Sequence, residues 1–457
     1  MSGNQKTMIR DFTQGNVTKQ LLVFALPLFL SSLLQIVYNM VDMIIVGQAL
    51  GKVGLSAVAV GGDVSQFMTF MAMGFSNAGQ VLIAQYIGAG RKDHVGQFIS
   101  TMATFLLGSA LVLSVLCLSF RVPILTLMNT PEEAFSEAMA YSTVCMVGLV
   151  FIYGYNICSA VLRGMGDSKH PFVFISIAAV LNVVLDLLFV MGFHMGSMGA
   201  ALATVISQGV SFIACGVFMY RNRERLGFEI KASDFLHINT EMLASLIKLG
   251  VPMAIKSVAI MVSKLFVSAW INSFGVAVSA VAGIASKLTS IGNLISQSLN
   301  TSGSSMVGQN IGAGKFHRVP RIVLTVGAAT LSISAVLSLI VGFFPEFVYG
   351  IFTDDPAVMA VALEHMPICI IMFMGCACRA PLNALINGSG NYKINFVTAI
   401  MDGIVLRIGL SVLFGIALDM GYVGFWLGDA LAGFTPMVIG LVFYISGKWK
   451  KQAVKAA

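Results

Sequence analysis

The chain has 457 residues, of which 57% are apolar and only 10% charged, against roughly 25% charged in an average soluble domain. So little charge excludes a soluble enzyme, a disordered chain and a collagen-like fibre. At about 20 residues per membrane crossing, the apolar set fills at most roughly thirteen spans. The net charge of +7 would suit nucleic acid, but the cations sit in short loops between long apolar runs, so no nucleic-acid partner is expected.

The polar N-terminal stretch gives way to an apolar run from Leu21 to Val46, longer than a signal-peptide core. The first span is therefore expected to stay in the mature protein. Hydropathy with turn and charge punctuation predicts twelve helical spans. Their limits are 19–47, 54–84, 97–120, 138–162, 171–192, 198–220, 244–272, 276–307, 319–344, 357–386, 394–418 and 422–446. The expected fold is an all-α polytopic membrane protein of two six-helix lobes. The lobes take residues 1–220 and 244–446, with a linker at 221–243 and a tail at 447–457.

Charge fixes the expected orientation. With the N-terminus inside, 20 of the 27 Lys and Arg fall in cytoplasmic segments, among them Lys6, Lys231, Lys451 and Lys455. Only Lys52 and Arg121 fall outside, while Lys256, Lys264, Lys287, Arg379 and Arg407 lie within spans. A missing or extra span would invert this bias in every later loop, so the split supports twelve spans with both termini cytoplasmic. The seven cysteines all lie in apolar stretches and read as packing residues. Cys376 and Cys378 diverge on a helix and are poorly placed to share a metal.

The two halves repeat. Gln85 and Ile87-Gly88-Ala89-Gly90-Arg91 recur 224 residues on as Gln309 and Ile311-Gly312-Ala313-Gly314-Lys315. Gly164-Met165-Gly166, Lys169 and Phe172 recur as Gly388-Ser389-Gly390, Lys393 and Phe396. Met195-Gly196 recurs as Met420-Gly421, and Pro27 as Pro252. A duplication of six spans relates the lobes by a pseudo-two-fold axis along the membrane normal, the geometry of many secondary transporters. No Walker A loop, H-E-x-x-H or G-x-S-x-G occurs. The chain is thus expected to be no enzyme and to need no cofactor, and either an ion gradient supplies its energy or its transport is passive.

Polar residues at membrane depth cost at least about 2.5–3.5 kcal/mol when charged, so each needs a reason. Gln35, Tyr38, Asn39 and Asp42 share one face of the first span, and Asn182 and Asp186 stack in the fifth. Counted from the outer turns, Asp42, Asp186 and Thr204 lie at a common depth of roughly 8 Å. Two carboxylates, an amide and a hydroxyl there suit a small hard cation or a shared proton. At the repeat offset Asp42 meets Val267, Asn182 meets Leu406 and Asp186 meets Leu410, so the set reads as a specialised site of the first half.

Gln66, Thr69, Met73, Asn77 and Gln80 form a stripe in the second span, and Asn293, Gln297, Asn300 and Ser304 form one in the eighth. Of these, Gln66, Asn293, Gln297 and Asn300, with Gln35, Tyr38, Asn39, Lys264 and Arg379, are the candidate lining of a substrate cavity. Pro27 and Pro252 are candidate hinges.

The motifs Tyr38-Asn39-Met40-Val41-Asp42, Gln85-Tyr86-Ile87-Gly88-Ala89-Gly90 and Leu162-Arg163-Gly164-Met165-Gly166-Asp167, with Asn182 and Asp186, resemble those of bacterial multidrug and toxic compound extrusion (MATE) transporters. The resemblance spans nearly the whole chain. It implies two lobes about a cleft, residence in the plasma membrane, and monomeric export of amphipathic, usually cationic molecules in exchange for Na⁺ or H⁺. In the DinF-like branch the coupling cation lies in the N-terminal lobe, at positions that fall here on Asp42, Asn182, Asp186 and Thr204. In the sodium-coupled case Asp42, Asn182 and Asp186 hold the Na⁺, and the bending proline falls on Pro27. The NorM-like acids of the seventh and tenth helices have no match, since the seventh carries Lys256 and Lys264, and the tenth only Glu364 and His365 near its outer start. The alternative transport reading is a flippase for lipid-linked or anionic amphipathic substrates.

Overall fold

The computed structural model describes residues 8–228 and 232–450. Lys6, Lys231, Lys451 and Lys455, and the tail past residue 450, lie outside the described residues. Within them the regular elements are all helical. The first half contains α1 (Val17–Gly88), α2 (Lys92–Ser119), α3 (Arg121–Leu127), α4 (Glu132–Val147), α5 (Leu149–Gly164), α6 (Lys169–Asp186) and α7 (Gly196–Arg221). The second contains α8 (Thr240–Asn272), α9 (Val276–Gly312), α10 (Val319–Phe343), α11 (Pro345–Gly350), α12 (Pro356–Gly388), α13 (Tyr392–Ile400), α14 (Leu406–Val412), α15 (Gly421–Ala432) and α16 (Thr435–Ile445).

Ten of the helical segments are long and apolar enough to cross a membrane, and α4 with α5, bent by 48° at Gly148, makes an eleventh. The twelfth is hidden in α1, whose 72 residues would reach about 108 Å, more than three times the hydrocarbon thickness. Its backbone leaves helical geometry at Gly51 (φ 61, ψ −148), a left-handed conformation that costs glycine little. Residues 17–50 and 52–88 are therefore separate crossings, and twelve spans result.

The chain forms two compact units. One takes Met1–Arg10 and Leu26–Gly250, the other Asp11–Ala25 and Val251–Ala457. The chain passes from one to the other at 25/26 and 250/251, one or two residues before the repeat-related Pro27 and Pro252. In the first unit, Met8 N donates to Arg225 O at 2.9 Å and Arg10 N to Met165 O at 3.0 Å. In the second, Phe12 is fully buried, its N–H donates to Gln309 Oε1 at 2.9 Å, and Lys315 Nζ donates to Thr13 O at 3.1 Å. The repeated loop motifs thus hold the N-terminal segment, which accounts for Gln309 and Lys315 structurally.

The duplication extends to backbone geometry. Left-handed residues pair across the halves as Gly51/Gly275, Gly90/Gly314, Gly166/Gly390, His194/Asp419 and Gly196/Gly421. The first three pairs are 224 apart and the last two 225. The added residue lies in a π turn, Met401–Val405, which interrupts the second-half helix where α6 runs on unbroken. A π turn closes on i+5 and so takes up one extra residue. A further π turn follows in each half, Leu187–Gly192 and Leu413–Ala417. Past the insertion, Asn182 aligns with Arg407 and Asp186 with Ser411. This corrects the alignment to Leu406 and Leu410 that a constant offset implies.

Helix contacts repeat as well. A Cβ on Gly164 would meet Gln80 O at 2.8 Å, and one on Gly388 would meet Ser304 O at 2.7 Å, the same crossing in each half. Backbone cannot yield as a side-chain tip can, so Gly164→Ala and Gly388→Ala should each destabilise by about 1–3 kcal/mol. The check is thermal unfolding in detergent, with Gly409→Ala, which meets nothing within 4 Å, as the tolerated control. Melting of all three at the wild-type temperature would show that these crossings do not depend on glycine.

Candidate functional site

In the first unit α1, α6 and α7 bring Asp42, Asn182, Asp186 and Thr204 together. Asp42 is 7% exposed, Asn182 2% and Asp186 0%. Asn182 Nδ2 donates to Thr204 Oγ1 at 3.4 Å, joining α6 to α7. The carboxyls of Asp42 and Asp186 face one another closely enough to interact. Even so, Asp42 Oδ1, Asn182 Oδ1 and both Asp186 oxygens have no hydrogen-bond partner among the described residues. Four buried acceptor oxygens converge with no donor to meet them, and neither carboxylate forms an ion pair among the described residues.

That arrangement has a chemical consequence. Two adjacent carboxylates in a dry site cannot both stay ionised without a counter-charge. Either a proton is shared between them or a cation sits among their oxygens. No three or more of His, Cys, Asp and Glu cluster as a metal site among the described residues. A cation here would be held by carboxylate, amide and hydroxyl oxygens, a donor set that suits a hard monovalent ion better than a transition metal.

Phenol and amide side chains surround these four residues. Tyr38, 8% exposed, lies within reach of Gln35 and Gln208 and in the field of both aspartates. Tyr141 on α4 is buried beside the same two carboxylates. Its ring fits because residue 61 is glycine, since a Cβ there would meet Tyr141 Cδ1 at 2.4 Å. Sequence reasoning missed Tyr141, which nothing local distinguishes from Tyr153 and Tyr155 in the same span.

The other first-half candidates diverge. Gln35, Asn39 and Gln66 are exposed on α1. Gln80, at the end of the expected stripe, is buried, and its Oε1 accepts from Arg163 Nε at 2.9 Å, which makes it a packing residue. Pro27 and Pro252 lie inside α1 and α8.

In the second unit, Arg407 Nη2 donates to Asp402 Oδ1 at 3.0 Å and Nη1 to Asp429, joining the π turn, α14 and α15. Lys256 Nζ donates to Asn383 Oδ1 at 2.8 Å. Arg379 donates to Asn293 Oδ1, which also accepts from Cys376 Sγ at 3.2 Å. Lys264 and Gln297 are exposed, and Asn300 is half-buried, accepting from Ser304 Oγ at its backbone oxygen at 2.8 Å. Glu364 accepts from Tyr422, while His365 is fully buried and bonded to the Tyr349 hydroxyl at 2.9 Å, so neither joins the cation cluster.

At equivalent positions of the repeat, then, the first unit has the Asn182–Thr204 hydrogen bond and the second the Arg407–Asp429 ion pair. The guanidinium stands where the first unit has only unpaired oxygens close by.

Comparison with known proteins agrees with the duplicated architecture. The MatE family model matches twice, at residues 27–188 and 252–413. The chain is 30% identical over 440 residues to the probable multidrug resistance protein YpnP of Bacillus subtilis, covering 96% of this chain and 97% of that one. Among solved structures it is similar to an outward-facing multidrug resistance MATE family transporter of the MOP superfamily. That likeness has a TM-score of 0.89 at 20% identity, over 98% of this chain and 100% of that one. It is also similar to a MOP superfamily transporter from Pyrococcus furiosus, with a TM-score of 0.88 at 21% identity and the same coverage. Two family matches at one offset, on a twelve-span chain whose backbone repeats at that offset, identify the chain as a member of the MatE family of secondary transporters.

Proposed function

We propose that this protein is a multidrug exporter of the plasma membrane that expels amphipathic small molecules in exchange for Na⁺ or H⁺ at Asp42, Asn182, Asp186 and Thr204. The four buried oxygens without donors at that site carry the reading. Their charge must be neutralised from outside the protein, so the ion's arrival and departure change the site's electrostatics, which is the requirement for coupling. The two chain crossings beside Pro27 and Pro252 support a hinge there. The Bacillus relative, a probable multidrug resistance protein, supports the efflux reading.

A second reading, translocation of lipid-linked or anionic amphipaths, is favoured by one observation, the surplus of cations within the second unit. The Pyrococcus transporter is described as having a binding pocket of reverse polarity that suggests a different function, and the same question arises for this chain.

Proteoliposome transport of a fluorescent cation, with Na⁺ and H⁺ gradients imposed separately, tests the coupling. Charge-assisted interactions of about 1.5–3 kcal/mol translate to at least roughly tenfold in rate, so Asp42→Asn and Asp186→Asn should each abolish most gradient-driven transport. Thr204→Ala, losing one neutral interaction of about 1 kcal/mol, should slow it only a few-fold. Wild-type rates in both aspartate variants would remove the ion site from the mechanism.

The proposed orientation, with both termini cytoplasmic, has its own test by cysteine labelling in a background without native cysteines. A membrane-impermeant maleimide should label Glu133→Cys in intact cells and Lys393→Cys only after permeabilisation. The reverse pattern would invert the topology.

A further inference from the structure

Among the cations inside the helices of the second unit, Lys256, Lys264, Arg379 and Arg407 lie within one another's field, and near them, among the described residues, stand two carboxylates, Asp402 and Asp429. Arg407 takes an ion pair with each of the two. Among the described residues Lys256, Lys264 and Arg379 form no ion pair. Lys256 and Arg379 are held instead by the neutral amides of Asn383 and Asn293. An amide oxygen positions a cation without cancelling its charge.

These groups form one cluster. Lys256 and Lys264 each lie in the repulsive field of both Arg379 and Arg407. Lys256 and Lys264 are two turns apart on α8, and Asn383 is one turn from Arg379 on α12, so the Lys256–Asn383 bond draws the two helices together. α8 also packs closely against the π turn that carries Asp402, where Ser263 donates to Gly403 O, a glycine on which a Cβ would meet Ala259 Cβ at 2.6 Å. Four cations against two carboxylates leave a formal excess of two at membrane depth, where charge is costly unless paired. Lys264 and Arg379 are not sealed in: the first is exposed and the second half-buried. Val262 and Leu265, on either side of Lys264 in the chain, leave exposed apolar surface on α8.

We propose that Lys256, Lys264 and Arg379 form an anion subsite that receives the carboxylate or phosphate group of an amphipath, with the exposed apolar surface of α8 beside Lys264 taking its tail. Arg379 presents a planar fork suited to an oxyanion, and the two lysines add point charge. The subsite deepens the second transport reading by naming its substrate class, and it is independent of which ion drives transport.

The test is equilibrium binding without a gradient, using the full chain in uncharged detergent. Fluorescence polarisation of fluorescein, an amphipathic dianion, should report binding that inorganic phosphate competes away. Loss of a charge-assisted contact corresponds to about tenfold or more in affinity, expected for Lys264→Gln and for Arg379→Gln, while Arg379→Lys retains most of it. Melting temperatures of the variants identify any that fail to fold, and Lys264→Gln, altering an exposed side chain, keeps the test informative if Arg379→Gln unfolds. No fluorescein binding, or binding unchanged in Lys264→Gln and Arg379→Gln, overturns the proposal.

Repeating the titration in phosphatidylcholine nanodiscs with and without phosphatidylglycerol separates two sources of the same chemistry. Weakening by phosphatidylglycerol that Lys264→Gln relieves assigns a lipid headgroup, and equal affinity in both assigns a soluble anion. Fluorescein binding with no gradient-driven transport would sink the transport reading while leaving the subsite. Coupled cation transport with no anion binding would do the opposite.

Discussion

Charge buried in hydrocarbon has to be neutralised, and the two halves of this duplicated chain meet that demand in opposite ways. In the second half Arg407 lies between Asp402 and Asp429, a counter-ion tied to the backbone. In the first half the aligned residue is Asn182, which bonds Thr204 and leaves its own oxygen, with three from Asp42 and Asp186, facing no donor. A tethered guanidinium cannot leave, whereas a proton or small ion can. On the proposed reading, the same place in the repeat is closed to exchange in one unit and open to it in the other.

The difference follows from a few residues acting on a common frame. The frame is kept by left-handed glycines at matching turns and by helix crossings so close that Gly164 and Gly388 have a carbonyl under 3 Å from where a Cβ would be. On it, a single residue inserted in the π turn Met401–Val405 advances the helix past that turn. The insertion brings Arg407, in place of Leu406, into the register of Asn182. A π turn is an economical way to re-aim side chains, since the hydrogen-bond ladder closes around the extra residue and the rest of the span is undisturbed.

Much of this was legible in the sequence, for identifiable reasons. Span limits, the duplication and the shared depth of Asp42, Asp186 and Thr204 depend only on hydropathy, offset and rise per residue, which helices obey closely. The stacking of Asn182 on Asp186 could be anticipated because i, i+4 neighbours in one helix need no tertiary knowledge, whereas the approach of Asp42 from α1 rested on matching depth alone. What could not be read was which partner a polar face finds. Gln80 continued a plausible cavity stripe but bonds Arg163, and Asn293 is taken by Arg379. Periodicity names a face and is silent on what the face meets. Tyr141 was invisible for the same reason, since it reaches the aspartates from α4 only because Gly61 leaves room for its ring. The insertion at 401–405 also escaped, because a constant offset is the simplest alignment and nothing local in Met401-Asp402-Gly403-Ile404-Val405 announces an i+5 bond.

The surplus of positive charge in the second unit is the least explained by architecture. Had the cations served only to bind helices together, carboxylates would be the expected partners, as they are for Arg407. Lys256 and Arg379 are instead oriented by amides, which fix geometry and preserve charge. Membrane proteins seldom keep an unpaired ionised group that structure alone could replace with an apolar one. Among the described residues the first unit keeps two carboxylates without a cation partner, and the second keeps three cations without a carboxylate partner. The two imbalances have opposite signs. On the proposed readings, they equip the chain to take a cation in one unit and an anionic group in the other, and the amides at 293 and 383 mark where to look for the second.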